Sequence, residues 1–214
     1  AQIPAAQRPA LDPQQLLASL DSLASAKLWV EVDVRLDLLK TSTVSDALRT
    51  AILLKHGEFA VRRKQWPVAE TALQNVLTRN PLAEERAKAH GLLAESYQRQ
   101  ELTAQSLRHY EQVLQYGPRS AWAADALLAL ARAAEEQNNF EQAHAYYRTL
   151  SASFPDYAPA QEARWNRGWE LYQQQQYEAA LGWWIEASQA YPEADLMPQL
   201  LYWQARVLQR LGRS

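Results

Sequence analysis

The sequence predicts an all-α fold, an α-solenoid of antiparallel helix pairs, and three observations carry that prediction. Four prolines, Pro81, Pro118, Pro155 and Pro192, fall 37 residues apart, each closing an apolar, aromatic-bearing stretch such as VLTRNP, VLQYGP, TLSASFP or ASQAYP. A fixed period of this size marks a helical repeat array, in which each unit packs on its neighbours. Residue size recurs at fixed offsets before each proline. Twelve positions earlier stands a small residue, Ala69, Ser106, Ala143 or Ala180, and eight earlier a bulky one, Leu73, Tyr110, Tyr147 or Trp184. A second small residue, Gly57, Ala94, Ala131 or Gly168, lies 24 positions before the proline. Small side chains at such offsets let two helices cross closely while large ones fill the adjoining gap. Lastly, only 6 of 214 residues are glycine, whereas Ala, Leu, Gln, Glu and Arg abound, which suits long helices and leaves little for strands and hairpins.

Taken in order, residues 1–11 read as a leader rich in Ala, Gln and Pro, of the kind that follows a removed signal peptide. Asp12-Pro13 then supplies an N-cap and a proline at the first helical position, and Leu16, Leu17, Leu20 and Leu23 form an apolar stripe. A second stripe, Leu28, Val32, Leu36 and Leu39, ends at Thr41–Asp46, where Ser45 and Asp46 can cap the next helix. Residues 12–46 lack the proline of the repeat and read as capping helices or a degenerate repeat. Residues 47–214 hold about four and a half units, with helix pairs ending near each of the four prolines. A final half unit, Pro198 to Gly212, supplies one further helix, and Gly212-Arg213-Ser214 falls where a turn into its partner is expected.

The pattern of small, aromatic and small residues before a terminal proline resembles the tetratricopeptide repeat over residues 47–211. That resemblance implies a right-handed superhelix and a non-catalytic role in binding. The period of 37 exceeds the usual 34. The extra residues fall between each proline and the following small residue, so each first helix should be about one turn longer. Long repeats of this kind resemble those of bacterial envelope proteins of the outer-membrane-assembly and Tol-associated types. Two segments narrow the likeness: Ala163-Arg-Trp-Asn-Arg-Gly-Trp-Glu-Leu-Tyr172, and Leu201-Tyr-Trp-Gln-Ala-Arg-Val-Leu-Gln-Arg-Leu-Gly212. They are similar to the superhelical N-terminal part of soluble lytic murein transglycosylases. This implies a periplasmic chain preceding a C-terminal glycan-cleaving domain, with an independent periplasmic interaction protein as the alternative.

Composition and motifs point away from chemistry. With 22 basic against 24 acidic residues, the formal charge of −2 gives no global field for nucleic acid or an anionic membrane. No cysteine is present, so thiolate chemistry, disulfides and a lipid-anchor cysteine are excluded from this chain, and no apolar run approaches the roughly 20 residues of a membrane span. Glu95-Ser96 matches the Glu-Ser pair of transglycosylases but lacks the Gly-Leu-Met-Gln segment that accompanies it there, and it reads as an ordinary helix residue pair. His56, His90, His109 and His144 show no metal-ligand spacing and read as packing or surface residues. No cofactor is implied.

Recognition is the better prospect. The tetratricopeptide resemblance implies that positions 2, 5, 9 and 12 of each first helix line a binding surface: Ala51, Leu54, Glu58 and Val61, then Lys88, Gly91, Glu95 and Gln98, then Asp125, Leu128, Arg132 and Glu135. None supplies the Lys/Asn clamp for a C-terminal carboxylate. The fourth set, Glu162, Trp165, Trp169 and Tyr172, with Tyr202 and Arg206 from the last helix, is aromatic. Trp165 and Trp169 are spaced i,i+4 and share a helix face. Their rings could stack on sugars or grip an extended peptide, making Trp165, Trp169, Tyr172, Tyr202 and Arg206 the candidate binding residues. The plainer alternative is packing against the next repeat or a further domain. The expected partners are peptidoglycan, an envelope protein or a downstream domain of the same protein.

Overall fold

The computed structural model describes residues 12–213, the side chain of Ala160 apart; the expected leader at 1–11 lies outside them. Among the described residues there are eleven helices and no strand. The chain divides into two compact units at residues 117 and 118. The first unit holds α1 (Pro13–Ser25), α2 (Trp29–Thr41), α3 (Asp46–Arg62), α4 (Trp66–Thr78), α5 (Ala83–Arg99) and α6 (Thr103–Tyr116). The second holds α7 (Ala123–Glu136), α8 (Phe140–Ser153), α9 (Ala158–Gln173), α10 (Tyr177–Ala190) and α11 (Met197–Arg210). Within each unit, consecutive helices pack as pairs, α1 on α2, α3 on α4, α5 on α6, α7 on α8 and α9 on α10, with α11 packing on α10.

Caps start the helices where the sequence places them. The Asp12 carboxylate accepts from the Gln14 N–H at 3.2 Å ahead of Pro13, and Ser45 Oγ accepts from the Leu48 N–H at 3.3 Å. The first-helix extension holds for α3 and α5, each 17 residues long, but α7 and α11 have only 14. The difference lies in the start signals. After Pro81 the Glu85 carboxylate caps the Leu82 N–H at 2.9 Å, so α5 begins at once. After Pro118 no acidic residue stands at the matching position, Trp122, and the segment turns before α7. Pro198, fixed in the first turn of α11, sets that helix's start.

Each pair closes with the same turn. Lys27, Lys64, Glu101, Asn138 and Gln175 adopt left-handed backbone, with φ of 58°, 58°, 62°, 58° and 63°, and Gly212 follows at 71°. They stand 37 residues apart in succession, so the turn between α1 and α2 keeps the register of the later ones. In every case the next residue's N–H reaches back five positions, as from Gln65 to the Ala60 carbonyl at 2.8 Å and from Asn139 to Ala134 at 2.8 Å. This Schellman geometry satisfies carbonyls that a helix end otherwise leaves open.

The interior follows the size code. Ala69, Leu73, Ala94, Ala131, Ala143, Tyr147, Ala180 and Trp184 are fully buried, and Ser106 and Tyr110 nearly so. A Cβ on Gly57 would sit 2.6 Å from Leu73 Cγ, and one on Gly168 would lie 2.5 Å from Trp184 Cδ1. These glycines are therefore fixed by close helix approach. In α1 and α2 the corresponding positions are Leu20, Val32 and Leu36, all buried, in a cluster with Leu16, Leu39, Ile52 and Phe59. That pair keeps the register while using a different set of sizes.

Candidate functional site

The second unit concentrates the candidate residues in two places. The first is an aromatic array built by α9, α10 and α11. Gly168 lets the Trp184 indole lie against α9, where its Nε1–H donates to the Trp165 carbonyl at 3.3 Å. Trp165 stacks on Trp184 at 5.5 Å between centroids and on Trp169 at 6.4 Å, and Trp169 stacks on Tyr172 at 5.6 Å. Trp203 of α11 meets Trp169 and Tyr172 edge-on at 4.8 and 5.2 Å. Offset and T-shaped contacts at these distances stabilise by about 0.5–1.5 kcal/mol each beyond area burial. Arg210 lies over Tyr172 at 5.7 Å and over Tyr177 at 5.3 Å, and donates to the Tyr177 hydroxyl at 3.0 Å.

Of the candidate binding residues, Trp165, Trp169 and Tyr172 are thus half-buried in one continuous stack, with one flank against α11. Tyr202 is 57% exposed with its ring edge-on to Trp203, and Arg206 is exposed beside it on α11. The two motif segments at 163–172 and 201–212 meet through Trp203, which sequence reasoning had not singled out. Its signal was present in the Tyr-Trp-Gln-Ala-Arg segment itself.

The second place is a cleft between α7 and α9 with a volume of about 350 Å³, lined by Arg132, Glu135, Glu136, Tyr147, Ala163, Asn166, Arg167 and Glu170. Tyr147 and Ala163 form a buried floor, Glu135 and Arg167 the half-buried walls, and Arg132, Glu136, Asn166 and Glu170 an exposed polar rim. Burial raises the Glu135 carboxyl above the usual carboxylate range against the opposing pull of Arg167 and the Tyr147 hydrogen bond. On its other side, Arg167 lies over the Phe140 ring at 5.4 Å and lines an apolar pocket of about 360 Å³ with Leu171, Gly182 and Trp183.

Elsewhere the expected binding positions divide. Leu54, Val61, Gly91 and Leu128 are buried and present no surface, because apolar or small residues at those positions pack between helices. Glu58 instead gathers Lys55, Arg62 and Lys88 at 3.5, 2.8 and 3.0 Å. Glu95 pairs with Arg99 at 2.6 Å on the same helix, in the manner of an ordinary helix ion pair. His90 and His109, far apart in sequence, meet across α5 and α6, and His144 bonds Glu186 at 2.9 Å while stacking on Trp183. Among the described residues no three His, Cys, Asp or Glu side chains converge as a metal site, and no helix is long and apolar enough to cross a membrane.

A family model described as tetratricopeptide repeat matches residues 128–195. Among solved structures, a tetratricopeptide repeat protein from Parabacteroides merdae ATCC 43184 superposes with a TM-score of 0.63 at 14% identity, covering 94% of this chain and 74% of that one. BtubC (BKLC) from P. vanneervenii superposes with a TM-score of 0.52 at 16% identity, covering 95% and 86%. No curated protein sequence matches the chain. The fold is that of tetratricopeptide-repeat proteins, a helical-repeat scaffold of the kind that mediates protein interactions, and residues 128–195 carry the sequence signature of the repeat.

Proposed function

We propose that this chain is a non-catalytic scaffold of the bacterial periplasm, working as the superhelical part of a lytic-transglycosylase-like protein and presenting peptidoglycan to a glycan-cleaving domain. One observation supports this reading above others. The two segments that resemble the transglycosylase superhelix are joined through a single array of Trp165, Trp169, Tyr172, Trp184 and Trp203. The array is rigid because Gly168 and the Gln204 side chain, which donates to the Trp184 carbonyl at 2.8 Å, lock α9, α10 and α11 together. Its accessible margin carries Tyr202 and Arg206, a stacking ring beside a hydrogen-bonding cation, a pairing suited to sugar faces and their hydroxyls. Repeat packing makes such a surface a fixed template for a polymer.

The test is co-sedimentation with purified peptidoglycan sacculi. Wild-type chain should pellet with sacculi, and Tyr202→Ala/Arg206→Ala should remain in the supernatant with its melting temperature unchanged, since both side chains are exposed. Wild-type chain that stays in the supernatant sinks the peptidoglycan reading. A second reading, an independent periplasmic protein that binds an envelope protein, is favoured by the polar cleft between α7 and α9.

A further inference from the structure

We infer that the outer face of α2 is a self-association surface, on which a second copy of this chain packs its own α2 in the antiparallel sense about Val34. This goes beyond the glycan-facing role of the aromatic array and concerns the other compact unit.

Val30, Val34 and Leu38 follow one another every fourth residue along α2 and are 74%, 56% and 48% exposed. Val32, Leu36 and Leu39 of the same helix are buried in the core cluster shared with α1 and α3. The helix is thus apolar on two faces, one used within the chain and one open. The turn at Lys27 puts α2 in the register of the later second helices, which allows a direct comparison. At the place of Val34 they carry Thr71, Arg108, Ala145 and Gly182, and at that of Leu38 they carry Asn75, Gln112, Thr149 and Glu186. None of these is a bulky hydrocarbon. Helix formation does not ask for valine either, since its branched side chain makes it a poorer helix former than Ala, Glu or Lys. An apolar stripe carried by one repeat, where the others are small or polar, marks a face that is covered.

The stripe is complementary to itself. Its spacing reads the same in either direction from Val34, so a two-fold axis there sets Val34 against the partner's Val34 and Val30 against the partner's Leu38, the matching that an isologous contact requires. The charges agree. Glu31 and Arg35 lie one turn apart on one flank of the stripe, and reversing one helix turns the same flank towards it, so each Glu31 meets the partner's Arg35. Arg35 is steadied for this by its hydrogen bond to Ser19 Oγ on α1. On the other flank Asp33 and Asp37 are balanced within the chain, by Arg63 at 2.6 Å and Lys40 at 3.2 Å. A lipid surface fits less well, because interfacial helices carry Lys and Arg on the polar side, whereas this stripe is bordered by Glu31, Asp33 and Asp37. With 13 residues α2 is about 20 Å long, which puts the contact at the small, reversible end of interfaces.

The chain has no cysteine, so single cysteines report the contact directly. Under a mild oxidant Val34→Cys should form a covalent dimer at least about tenfold faster than Thr71→Cys, the matching exposed position on α4. Val30→Cys and Leu38→Cys should each cross-link poorly alone, because the antiparallel register holds like residues about 12 Å apart along the axis, and readily when mixed. In sedimentation equilibrium the wild-type chain should show a monomer–dimer equilibrium. Val34→Glu sets two carboxylates against each other and should weaken it at least about tenfold, with the melting temperature in dilute solution unchanged because Val34 is exposed. The inference is overturned if the chain stays monomeric up to about 500 μM, the weak limit for so small a contact. It is equally overturned if Val34→Cys cross-links no faster than Thr71→Cys, or if Val30→Cys and Leu38→Cys cross-link as readily alone as together. A monomer whose Val34→Cys thiol resists a thiol reagent would assign the face to residues 1–11 or to another protein, and counts against a second copy. Val34→Glu should pellet with sacculi as the wild type does, so the glycan-facing reading is decided separately.

Discussion

His90 and His109 approach Nδ1 to Nδ1 at 2.9 Å across the α5–α6 interface, between the stacked rings of Tyr116 and Tyr97. One ring must donate its N–H and the other accept, so the contact exists only while the accepting ring is neutral. Burial, the neighbouring His109 and Arg86 lower the His90 pKa to about 4. Burial also lowers that of His109 against the pull of Glu70, which is itself bonded by the Tyr97 hydroxyl at 2.7 Å.

Both folded-state values thus lie below the unfolded value of 6.5, and the sign follows. The folded chain binds fewer protons, so stability is intact above pH 6.5 and is lost as the pH falls toward 4. Between pH 7 and pH 5 the His90 contribution amounts to roughly 2 kcal/mol. Thermal melts should show a clear drop over that range, and His90→Leu should flatten it. Leucine suits the site because Leu127 occupies the matching position one repeat later. An equal pH dependence in wild type and variant would show that the pair does not govern acid stability.

The histidine pair shows what a single sequence can and cannot disclose. Helix ends were legible because proline and residue size act locally: Pro81, Pro118, Pro155 and Pro192 stop helices, and Gly168 opposite Trp184 is a matter of volume. The turns at Lys27, Lys64, Glu101 and Gln175 were not, because the usual sign of a left-handed turn is glycine and here only Gly212 bears it. Without that turn, the repeat register of α1 and α2 stayed hidden behind Leu20, Val32 and Leu36. Partners on different helices, such as Glu135 with Arg167, stand 32 residues apart and share no motif. The aromatic candidates were visible as types and spacing, whereas Trp203, which joins their two segments, became evident only once α11 was laid against α9.

Two glycines on packed helices should respond oppositely to the same change. Gly168→Ala drives a methyl into the Trp184 indole, with Cδ1 at 2.5 Å and Cε2 at 2.7 Å, and Trp184 is fully buried. Overpacking of this kind costs about 1–3 kcal/mol. Gly182→Ala meets nothing within 4 Å and sits inside α10, so the gain in helix propensity should stabilise by about 0.5–1 kcal/mol. Urea denaturation of the two variants checks both signs, and a stabilising Gly168→Ala would contradict the close approach of α9 and α10.

The repeated turn offers a route to greater stability. A non-glycine residue in left-handed backbone costs roughly 1–2 kcal/mol, and Lys64, Glu101 and Gln175 each carry that cost while Gly212 does not. Replacing Lys64 or Gln175 by glycine should stabilise by about 1 kcal/mol, after the larger unfolded-state freedom of glycine is counted. Combined in one chain, the substitutions should add, since Lys64 and Gln175 belong to different compact units. The midpoint of denaturant unfolding measures this, and a loss of stability on Lys64→Gly would mean that its side chain contributes more than the backbone strain.

Arg164 is 1% exposed, and its Nε has no hydrogen-bond partner among the described residues. Its guanidinium is held over the rings of Tyr147 at 5.4 Å and Tyr191 at 5.9 Å. Counting back by one and two repeats, the same position holds Leu127 and His90, so the site is built for a core side chain. Burial opposes the charged form and lowers the arginine's pKa, although a guanidinium remains protonated. The ring contacts return about 1–2 kcal/mol, less than the several kcal/mol that desolvating a cation costs. Arg164→Met keeps the apolar stem and removes the charge, and should raise stability by about 1 kcal/mol, whereas Arg164→Ala should lower it by about 2 kcal/mol through the cavity left behind. Calorimetric melts separate the two effects. If Arg164→Met were as damaging as Arg164→Ala, the guanidinium's contacts with Tyr147 and Tyr191 would outweigh its desolvation.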